Sequence, residues 1–185
     1  MKITHICLCG PVTDNWTYQD NLLSKYHKKL GYDVSLITSQ YIWNDKGKLE
    51  FDMRSNYFND HGVKMIRLET KDKTFVGSKL RRYKNLYETI CMENPDIIFI
   101  HGCQFIDIKR IVKYIQEYPD VKVFVDNHAD FSNSARNFLS KNILHKIVWR
   151  YYAHLIEPYT TKFYGVLPAR VDFLKNVYKL PEEKI

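Results

Sequence analysis

The sequence is poor in glycine, proline and cysteine, and it has no long hydrophobic run. Its 185 residues include 7 Gly, 6 Pro and 4 Cys. Apolar runs stay well short of the ~20 residues needed to cross a bilayer, and the segment after Met1 enters a strand-like run without a cleavable signal pattern. We therefore expect a cytoplasmic protein. Its four cysteines are irregularly spaced and are expected to be reduced thiols.

The familiar cofactor motifs are also missing. Gly10 is the single glycine of the first strand-to-helix loop, so neither the G-x-G-x-x-G dinucleotide fingerprint nor a Walker lysine loop is present. H-x-H, H-E-x-x-H and D-x-D are absent as well. A metal site would have to be assembled from residues that follow two later strands: His101, Cys103, Asp126, His128 and Asp130. Because metal sites usually contain a tighter ligand pair, we predict no metal.

What the chain does have is an excess of positive charge, with a net charge of +7. One basic segment contains Lys71, Lys73, Lys79, Arg81, Arg82 and Lys84, opposed only by Asp72; a second contains Arg136, Lys141, Lys146 and Arg150 with no acid between them. Such patches favour phosphates, nucleic acid or the cytoplasmic membrane leaflet. No nucleic-acid-reading motif is present, so we predict no nucleic-acid partner and keep peripheral contact with an anionic membrane as a hypothesis.

Strand-like and helix-like segments alternate along the whole chain. Strands are predicted at residues 2–8, 34–37, 63–68, 96–100, 121–125 and 163–167, with a small hairpin or an irregular segment at 41–52. In the first helix, Thr17 and Asp20 resemble an N-terminal capping box, Leu22, Leu23, Tyr26 and Leu30 form an apolar face, and Gly31 ends the helix. Further apolar stripes are Leu80, Tyr83, Leu86, Tyr87 and Ile90; Ile108, Ile111, Val112 and Ile115; and Leu144, Ile147, Val148, Tyr151 and Leu155. A short helix follows at 172–179. This alternation predicts one α/β domain over residues 1–185, a doubly wound, mostly parallel Rossmann-like sheet with helices on both faces.

Ligands of such sheets bind beyond the carboxyl ends of the strands, where the strand order reverses. With the order three, two, one, four, five, six, the loops to consider are residues 9–21, 101–107 and 126–134. They offer histidines, amides, carboxylates and aromatic rings as candidate contacts: Gly10, Asn15, Trp16, Tyr18, Gln19, His101, Asn127, His128 and Asp130. The alternative is structural: Thr17 and Asp20 cap a helix, Trp16 packs, and Asp126 and Asp130 cap turns.

The order and spacing of several short segments resemble a known family. The run KITHICLCGPVTDNWTYQDNLLSKYHKKLGYDVSLITS, followed by NDHGVKMIRL, PDIIFIHG, VKVFVDNHAD and LPARVDFLKNVYKLPEEKI, is similar to the N-terminal domain of family-4-like (group 1) GT-B fold glycosyltransferases of bacterial glycan synthesis. The resemblance covers essentially the whole chain. It implies an acceptor-binding domain whose C-terminal, donor-binding partner domain is absent, so that the 185 residues alone are inactive.

The resemblance also implies roles for particular residues. His128 matches the family histidine placed against the donor sugar, and His101 matches a histidine often found after the fourth strand. The implied reaction is retaining transfer from a nucleotide sugar, a co-substrate held mainly by the missing domain, to a glycan or lipid-linked acceptor, without a protein nucleophile. The loop CGPVTDNW departs from the commoner double-glycine form. The implied location is cytoplasmic, with contact at the inner face of the cell membrane as a hypothesis.

A second class of function stays open at this point. The chain could be a non-catalytic binding module of flavodoxin-like or Rossmann-like fold that uses its basic face for an anionic partner. The flavodoxin-like and response-regulator-like versions are weakened because no phosphate loop or acidic pair follows the first strand.

Overall fold

The computed structural model describes residues 1–71 and 81–185. Its central sheet has seven strands in the order β5-β6-β2-β1-β7-β8-β9, all parallel except β5 at one edge. The strands are β1 (Lys2–Cys7), β2 (Asp33–Ser39), β5 (Asn56–Phe58), β6 (Lys64–Leu68), β7 (Ile97–His101), β8 (Lys122–Asn127) and β9 (Lys162–Gly165). The six parallel strands follow the predicted order, which confirms the doubly wound α/β fold.

Three strands lie outside this sheet or were not predicted. β3 (Tyr41–Trp43) and β4 (Leu49–Phe51) form an antiparallel hairpin, which is the first of the two structures expected for residues 41–52. β5 was missed by the sequence analysis. It has only three residues, and its pairing with β6 is antiparallel. Short edge strands of this kind carry too little hydrophobic alternation to be recognised from sequence.

The helices connect these strands. They are α1 (Gln19–Lys29), α2 (Leu86–Glu93), α3 (Ile108–Glu117), α4 (Leu139–Trp149), α5 (Arg150–Ile156) and α6 (Pro168–Phe173). α4 has π-helical winding and runs directly into α5, and α6 continues as a π-helical turn, Leu174–Tyr178. Within residues 1–71 and 81–185, no helix combines the length and the hydrophobicity needed to span a bilayer.

The two faces of the sheet are covered differently. On one face, alternate strand residues such as Ile6, Ile100 and Val125 join α2, α3, α5 and α6 in one large apolar core. On the other face lies a smaller cluster that includes Val34, Leu36 and Met65, beside α1. The sheet therefore has a strongly apolar side and a side with more polar packing, on which His5 and His101 lie.

α1 differs from its prediction at its N-terminus and along its packing face. Tyr18 occupies the N-cap position without a side-chain capping hydrogen bond, so the capping box of Thr17 and Asp20 was wrong. The buried residues are Asn21 and Ser24, whereas Tyr26 and Leu30 of the predicted apolar face are exposed. Asn21 is buried because its amide donates to the carbonyls of Thr13 and Trp16, which fixes the preceding loop. Gly31 ends the helix with φ +87°, as expected.

The helical stripe at residues 144–155 was also wrong in part. His145, Trp149, Ala153 and Ile156 are buried, whereas Ile147 and Tyr151 are 62% exposed. The π-helical winding of α4 explains the difference, because a wider turn keeps residues four apart on one face. A stripe drawn with 3.6 residues per turn therefore mixes inward and outward positions. In the earlier stripe, Leu86 and Ile90 are buried as predicted, and Leu80 lies outside the described residues.

Candidate functional site

A cavity of about 240 Å³ lies beyond the carboxyl ends of β1 and β7, where the strand order reverses. Its lining comes from all three loops considered in the sequence analysis and from the β3–β4 hairpin. Four of the predicted residues take part: Gly10, Tyr18, His101 and His128. They are joined by others that were not predicted, including Asp20, Trp43 and Gln104. The structure thus brings the first, fourth and fifth parallel strand ends together in one groove.

A second cavity of about 410 Å³ adjoins the first. The two share Cys9, Gln104 and His128, and the second extends between the loop after β8 and the helix α4. Arg81, which donates to the carbonyl of Gln104 at 2.8 Å, places a guanidinium in its wall. The combined groove therefore offers a histidine at its centre and a cation on one side, a combination that suits polar, phosphate-bearing ligands.

Asp126 is the centre of the polar contacts at this groove. It is the penultimate residue of β8 and is 1% exposed. His101 Nδ1 lies 2.8 Å from Asp126 Oδ2, and His128 Nε2 lies 3.0 Å from Asp126 Oδ1. Gln19 Nε2 also donates to Asp126 Oδ2 at 3.2 Å. The buried carboxylate therefore hydrogen-bonds His101 and lies within ion-pair distance of His128, whose Nε2 has no hydrogen-bond partner among the described residues.

The two histidines differ in exposure, and so in what they can do. The side chain of His128 is 36% exposed, whereas that of His101 is 1% exposed. Asp20, at the start of α1, lies 3.2 Å from His101 Nδ1 and 3.9 Å from His128 Nε2. His128 is thus the group able to touch a ligand in the groove, while His101 lies behind it.

Charges inside the groove stabilise one another. Burial alone would raise the pKa of Asp126, but the charge and hydrogen bond of His101, with a smaller contribution from the nearby His128, outweigh burial and lower it. For His101, burial lowers the pKa, while the charge and hydrogen bond of Asp126, together with the charge of Asp20, outweigh burial and raise it. Asp126 is therefore ionised at neutral pH, and its proton-donating partner is His101 Nδ1.

A metal ion is not needed to explain this cluster. Among the described residues, one group of metal-ligand type is close enough to share an ion: Asp20, His101 and His128, with ligand atoms within 4.8 Å. His101 Nδ1, however, carries the proton donated to Asp126. The set considered from sequence is not assembled, because Cys103 is buried in the apolar core and Asp130 binds a turn. We assign no metal site.

Five predicted residues line neither cavity: Asn15, Trp16, Gln19, Asn127 and Asp130. Gln19 instead donates to Asp126, as described above. Asn15 donates to Asp60 at 2.7 Å, and Trp16 packs on Tyr18 at 5.6 Å between ring centroids. Asn127 is fully engaged within the fold, since its amide donates to the carbonyls of Ala129 and Arg170 and its oxygen accepts from Gln104. Asp130 accepts from Ser132 and Asn133 and pairs with Arg170 at 3.3 Å. The structural alternative thus describes Asp130, which caps a turn. Asn127 and Asp130 together shape the loop that carries His128.

A buried arginine holds the first loop in place. Arg67, on β6, is 3% exposed and donates to the carbonyls of Val12 and Ser39. It also pairs with Asp14 at 3.0 Å and with Asp52 at 3.1 Å. Because a buried guanidinium is stable only when its donors are satisfied, these contacts fix where the loop leaves β1. Two of the anchored residues, Val12 and Asp14, lie between Gly10 and Tyr18 in the chain.

The thiols near the groove are not poised as nucleophiles. The four cysteines are free, as expected. Burial raises the pKa of Cys7 well above its ordinary value and that of Cys9 to about 11. A thiol with a raised pKa stays protonated at neutral pH and is a poor nucleophile. The chemistry of the groove therefore rests on imidazole, carboxylate and amide groups.

Two residues that the sequence analysis passed over extend the site behind His101. His5, in β1, is completely buried, and its Nδ1 lies 2.9 Å from His101 Nε2. Its Nε2 lies 3.0 Å from Nδ1 of His27, on α1. One signal was available: a histidine interrupts the apolar run of β1, and no sequence pattern required it there. Its partners could not be read from sequence, because they are 22 and 96 positions away.

A larger cavity of about 670 Å³ lies elsewhere, lined by Asn94, Asp96, Tyr118 and Asp120 among others. These residues precede β7 and β8, so the cavity opens at the amino ends of the strands. Doubly wound sheets bind their ligands at the opposite edge, and the titratable cluster is also there. We therefore place the candidate site in the smaller groove.

No protein-family model matches the chain, and a search of curated proteins found no match.

Proposed function

We propose that this chain is the acceptor-side domain of a nucleotide-sugar-dependent, retaining glycosyltransferase of bacterial polysaccharide or glycan synthesis, of the family-4-like GT-B type. The observation that carries the proposal is the meeting of Gly10, Tyr18, His101 and His128 in one groove at the switch point of the sheet. Aromatic rings, amides and imidazole groups beside a cationic wall suit a sugar that carries phosphate. The nucleotide sugar would be held mainly by a second domain outside these 185 residues.

In this proposal His128 orients the donor and stabilises the charge that develops as the nucleotide leaves. Its Nε2 faces the Asp126 carboxylate, which leaves Nδ1 for a ligand group. The acceptor hydroxyl attacks the face from which the nucleotide departs, so no protein nucleophile forms a bond to the sugar. The raised pKa values of Cys7 and Cys9 agree with that requirement. Preorganised charge, rather than covalent chemistry, provides most of the rate.

The decisive experiment compares His128→Ala with His61→Ala in the enzyme expressed from the complete gene. His61 lies in the Asn59–Gly62 turn, away from the groove, and serves as the matched control. We expect His128→Ala to lower kcat by about 10²-fold, the effect of losing one preorganised electrostatic contact, and to change the acceptor KM little. An unchanged kcat would remove His128 from the mechanism. Turnover of a nucleotide sugar by residues 1–185 alone would contradict the two-domain proposal.

A second surface supports a membrane-bound acceptor. Leu139, Ile143, Ile147 and Tyr151 recur every four residues along α4 and α5, and each is 47–66% exposed. No Asp or Glu occurs between Asp130 and Glu157, whereas this interval holds four basic residues: Arg136, Lys141, Lys146 and Arg150. An exposed apolar ridge among cations is the pattern of a helix that lies on an anionic membrane. α4 also walls the second cavity, so an acceptor could pass from the membrane toward His128.

Binding to vesicles tests this membrane contact. We expect residues 1–185 to sediment with vesicles of phosphatidylglycerol and phosphatidylcholine but not with phosphatidylcholine alone. The double variant Ile147→Ser/Tyr151→Ser should lose most of this binding, while Lys109→Glu, on the exposed side of α3, should retain it. Equal sedimentation with neutral vesicles would remove the electrostatic part of the proposal. No sedimentation with either kind of vesicle would leave the cytoplasmic, membrane-peripheral location without support.

A further inference from the structure

Three histidines form a hydrogen-bonded row that begins behind the groove and leaves it. His101 ends β7, His5 lies in the adjacent strand β1, and His27 lies in the last turn of α1. His101 Nε2 is 2.9 Å from His5 Nδ1, and His5 Nε2 is 3.0 Å from His27 Nδ1. His5 and His101 are on the same face of the sheet, since His5 is opposite Phe99 in the register of β1 and β7.

The two ends of the row reach different surroundings. At one end, His101 lies in the wall of the 240 Å³ cavity that contains His128. At the other end, His27 is half-buried and borders a separate cavity of about 250 Å³, which Phe99 and Tyr164 also line. His5 connects them and is completely buried. The only polar contacts that the described structure gives the two ring nitrogens of His5 are these two histidines.

The hydrogen bonds allow two arrangements of protons. When His101 is cationic, it donates Nδ1–H to Asp126 and Nε2–H to His5 Nδ1; His5 donates Nε2–H to His27 Nδ1, and His27 keeps Nε2–H. When one proton is removed from His27 Nε2, each remaining shared proton shifts along its hydrogen bond. His27 then donates to His5, His5 donates to His101, and His101 is neutral while still donating to Asp126. One proton has left at His27, and one positive charge has disappeared at His101.

The charged groups around the row favour placing its proton on His101. Asp126 and Asp20 face His101 from β8 and α1, with His128 beyond them, and Gln19 donates to Asp126. Burial lowers the pKa of His5 well below its ordinary value, and the neighbouring His101 and His27 lower it further against the opposing charge of Asp126. Burial and His101 also lower the pKa of His27, which packs against Tyr32. Cys7 lies beside Asp20, and burial keeps its thiol protonated.

We infer that His5 and His27 are positioning residues that set the charge of His101, and that the row exchanges its proton with solvent at His27, outside the groove. The consequence for binding rests on the proposed function. With His101 cationic, the cluster of Asp20, Asp126 and His101 carries a net charge of −1; with His101 neutral it carries −2. Loss of the proton therefore makes the groove less favourable to a phosphate-bearing substrate.

The test follows histidine ring nitrogens by two-bond ¹H–¹⁵N NMR spectra of residues 1–185 from pH 5 to 9. In the wild type, His5 and His27 are expected to exchange tautomer at the pH where His101 loses its charge, without becoming cationic themselves. His27→Phe removes the acceptor of His5 Nε2–H and should lower the midpoint of His101 by about one pH unit. His27→Gln should restore most of that shift, because its carbonyl oxygen can accept the same proton. His61→Phe is the control and should leave the midpoint unchanged.

Two results would overturn the inference. One is a His5 tautomer that stays constant while His101 titrates. The other is an equal titration midpoint of His101 in His27→Phe and His27→Gln, which would mean that His27 acts on His101 only through packing. Both variants change a half-buried helix position, so folding is retained more readily than after a change at the buried His5. These spectra need no substrate. An unchanged kcat in His128→Ala would therefore refute the transferase mechanism but would not affect the inference about the histidine row. A failed tautomer exchange would refute the inference about the row but would not affect the transferase mechanism.

Discussion

The two faces of the central sheet bury different kinds of side chains. On the α2–α3 side, strand residues such as Ile6, Ile100 and Phe163 pack into one apolar core. On the α1 side, the same strands contribute His5, His101 and Asp126, which bind one another through hydrogen bonds. Neighbouring residues of a strand point to opposite faces, so these two environments are separated by single positions. The apolar face is expected to determine stability, and the polar face to determine chemistry.

The polar face is also less completely covered. Phe99, Phe124 and Tyr164, from β7, β8 and β9, form a cluster in which each pair of ring centroids is 6.3–6.5 Å apart, and Tyr164 is 45% exposed. Phe163, beside Tyr164 in the same strand, is 1% exposed. The comparison of the two faces can thus be tested with residues that are adjacent in sequence.

The largest expected effect comes from Phe163→Ala. Truncating a fully buried phenylalanine removes transfer free energy and leaves a cavity, which typically costs about 3–5 kcal/mol. The matched change on the other face, Tyr164→Ala, should cost about 1 kcal/mol, the value of its aromatic contacts. Urea denaturation followed by circular dichroism would measure both free energies of unfolding. Similar losses of unfolding free energy for the two variants would show that the two faces do not differ in their contribution to stability.

The second effect comes from Asp126→Asn, which leaves His101 without its buried partner charge. Breaking a buried pair is expected to cost about 3 kcal/mol. The folded-state pKa of Asp126 is lowered, so its contribution is present above about pH 4, the ordinary range, and is lost as the pH falls through the folded-state value. The folded-state pKa of His101 is raised, so its contribution is complete below about pH 6.5 and is lost as the pH rises through the folded-state value.

The difference in unfolding free energy between the wild type and Asp126→Asn should therefore be greatest between about pH 4 and pH 6.5 and should shrink above that range. Denaturation curves at several pH values would measure it. Asp172→Asn, at an exposed position of α6, is the control and should show no such profile. A difference that is constant with pH would mean that Asp126 acts only through packing.

A smaller effect than at Phe163 or Asp126 is expected at Gly102, where the groove joins the apolar side. Gly102 has φ +78°, and a Cβ there would lie 2.7 Å from Gln104 Oε1 and 3.0 Å from Cys9 Sγ. Gly102→Ala combines an unfavourable backbone conformation with this crowding, and we expect a loss of about 2 kcal/mol. Gly47 has φ +68° but open space around it, so Gly47→Ala tests the backbone conformation without the crowding. Thermal unfolding of both variants would compare their losses of stability. An equal loss in the two variants would assign the whole effect to the backbone.

Much of the fold could be predicted because its signals are local. The buried parallel strands appear in the sequence as apolar runs, and Gly31 marks the end of α1, so the order of the elements could be predicted. The order of the strands in the sheet then followed from general rules of chain connection. The errors have physical causes. Asp20 looked like a helix cap, but it faces His101 across the groove. Ile147 and Tyr151 looked like core residues, but the π-helical winding of α4 turns them outward. Lys73 and Lys79, of the first basic segment, lie outside the described residues.

The sequence by itself determined the doubly wound sheet and the three loops at its carboxyl edge, because hydrophobic periodicity and chain connectivity act over short distances. Only the tertiary structure decided which polar residues meet. Asn127 and Asp130 shape a loop, whereas Asp20, Asp126 and the row from His101 to His27 assemble the site. These pairings join strands and a helix far apart in the chain. Their energies depend on burial and on angles between groups, which no spacing of residues along a sequence specifies.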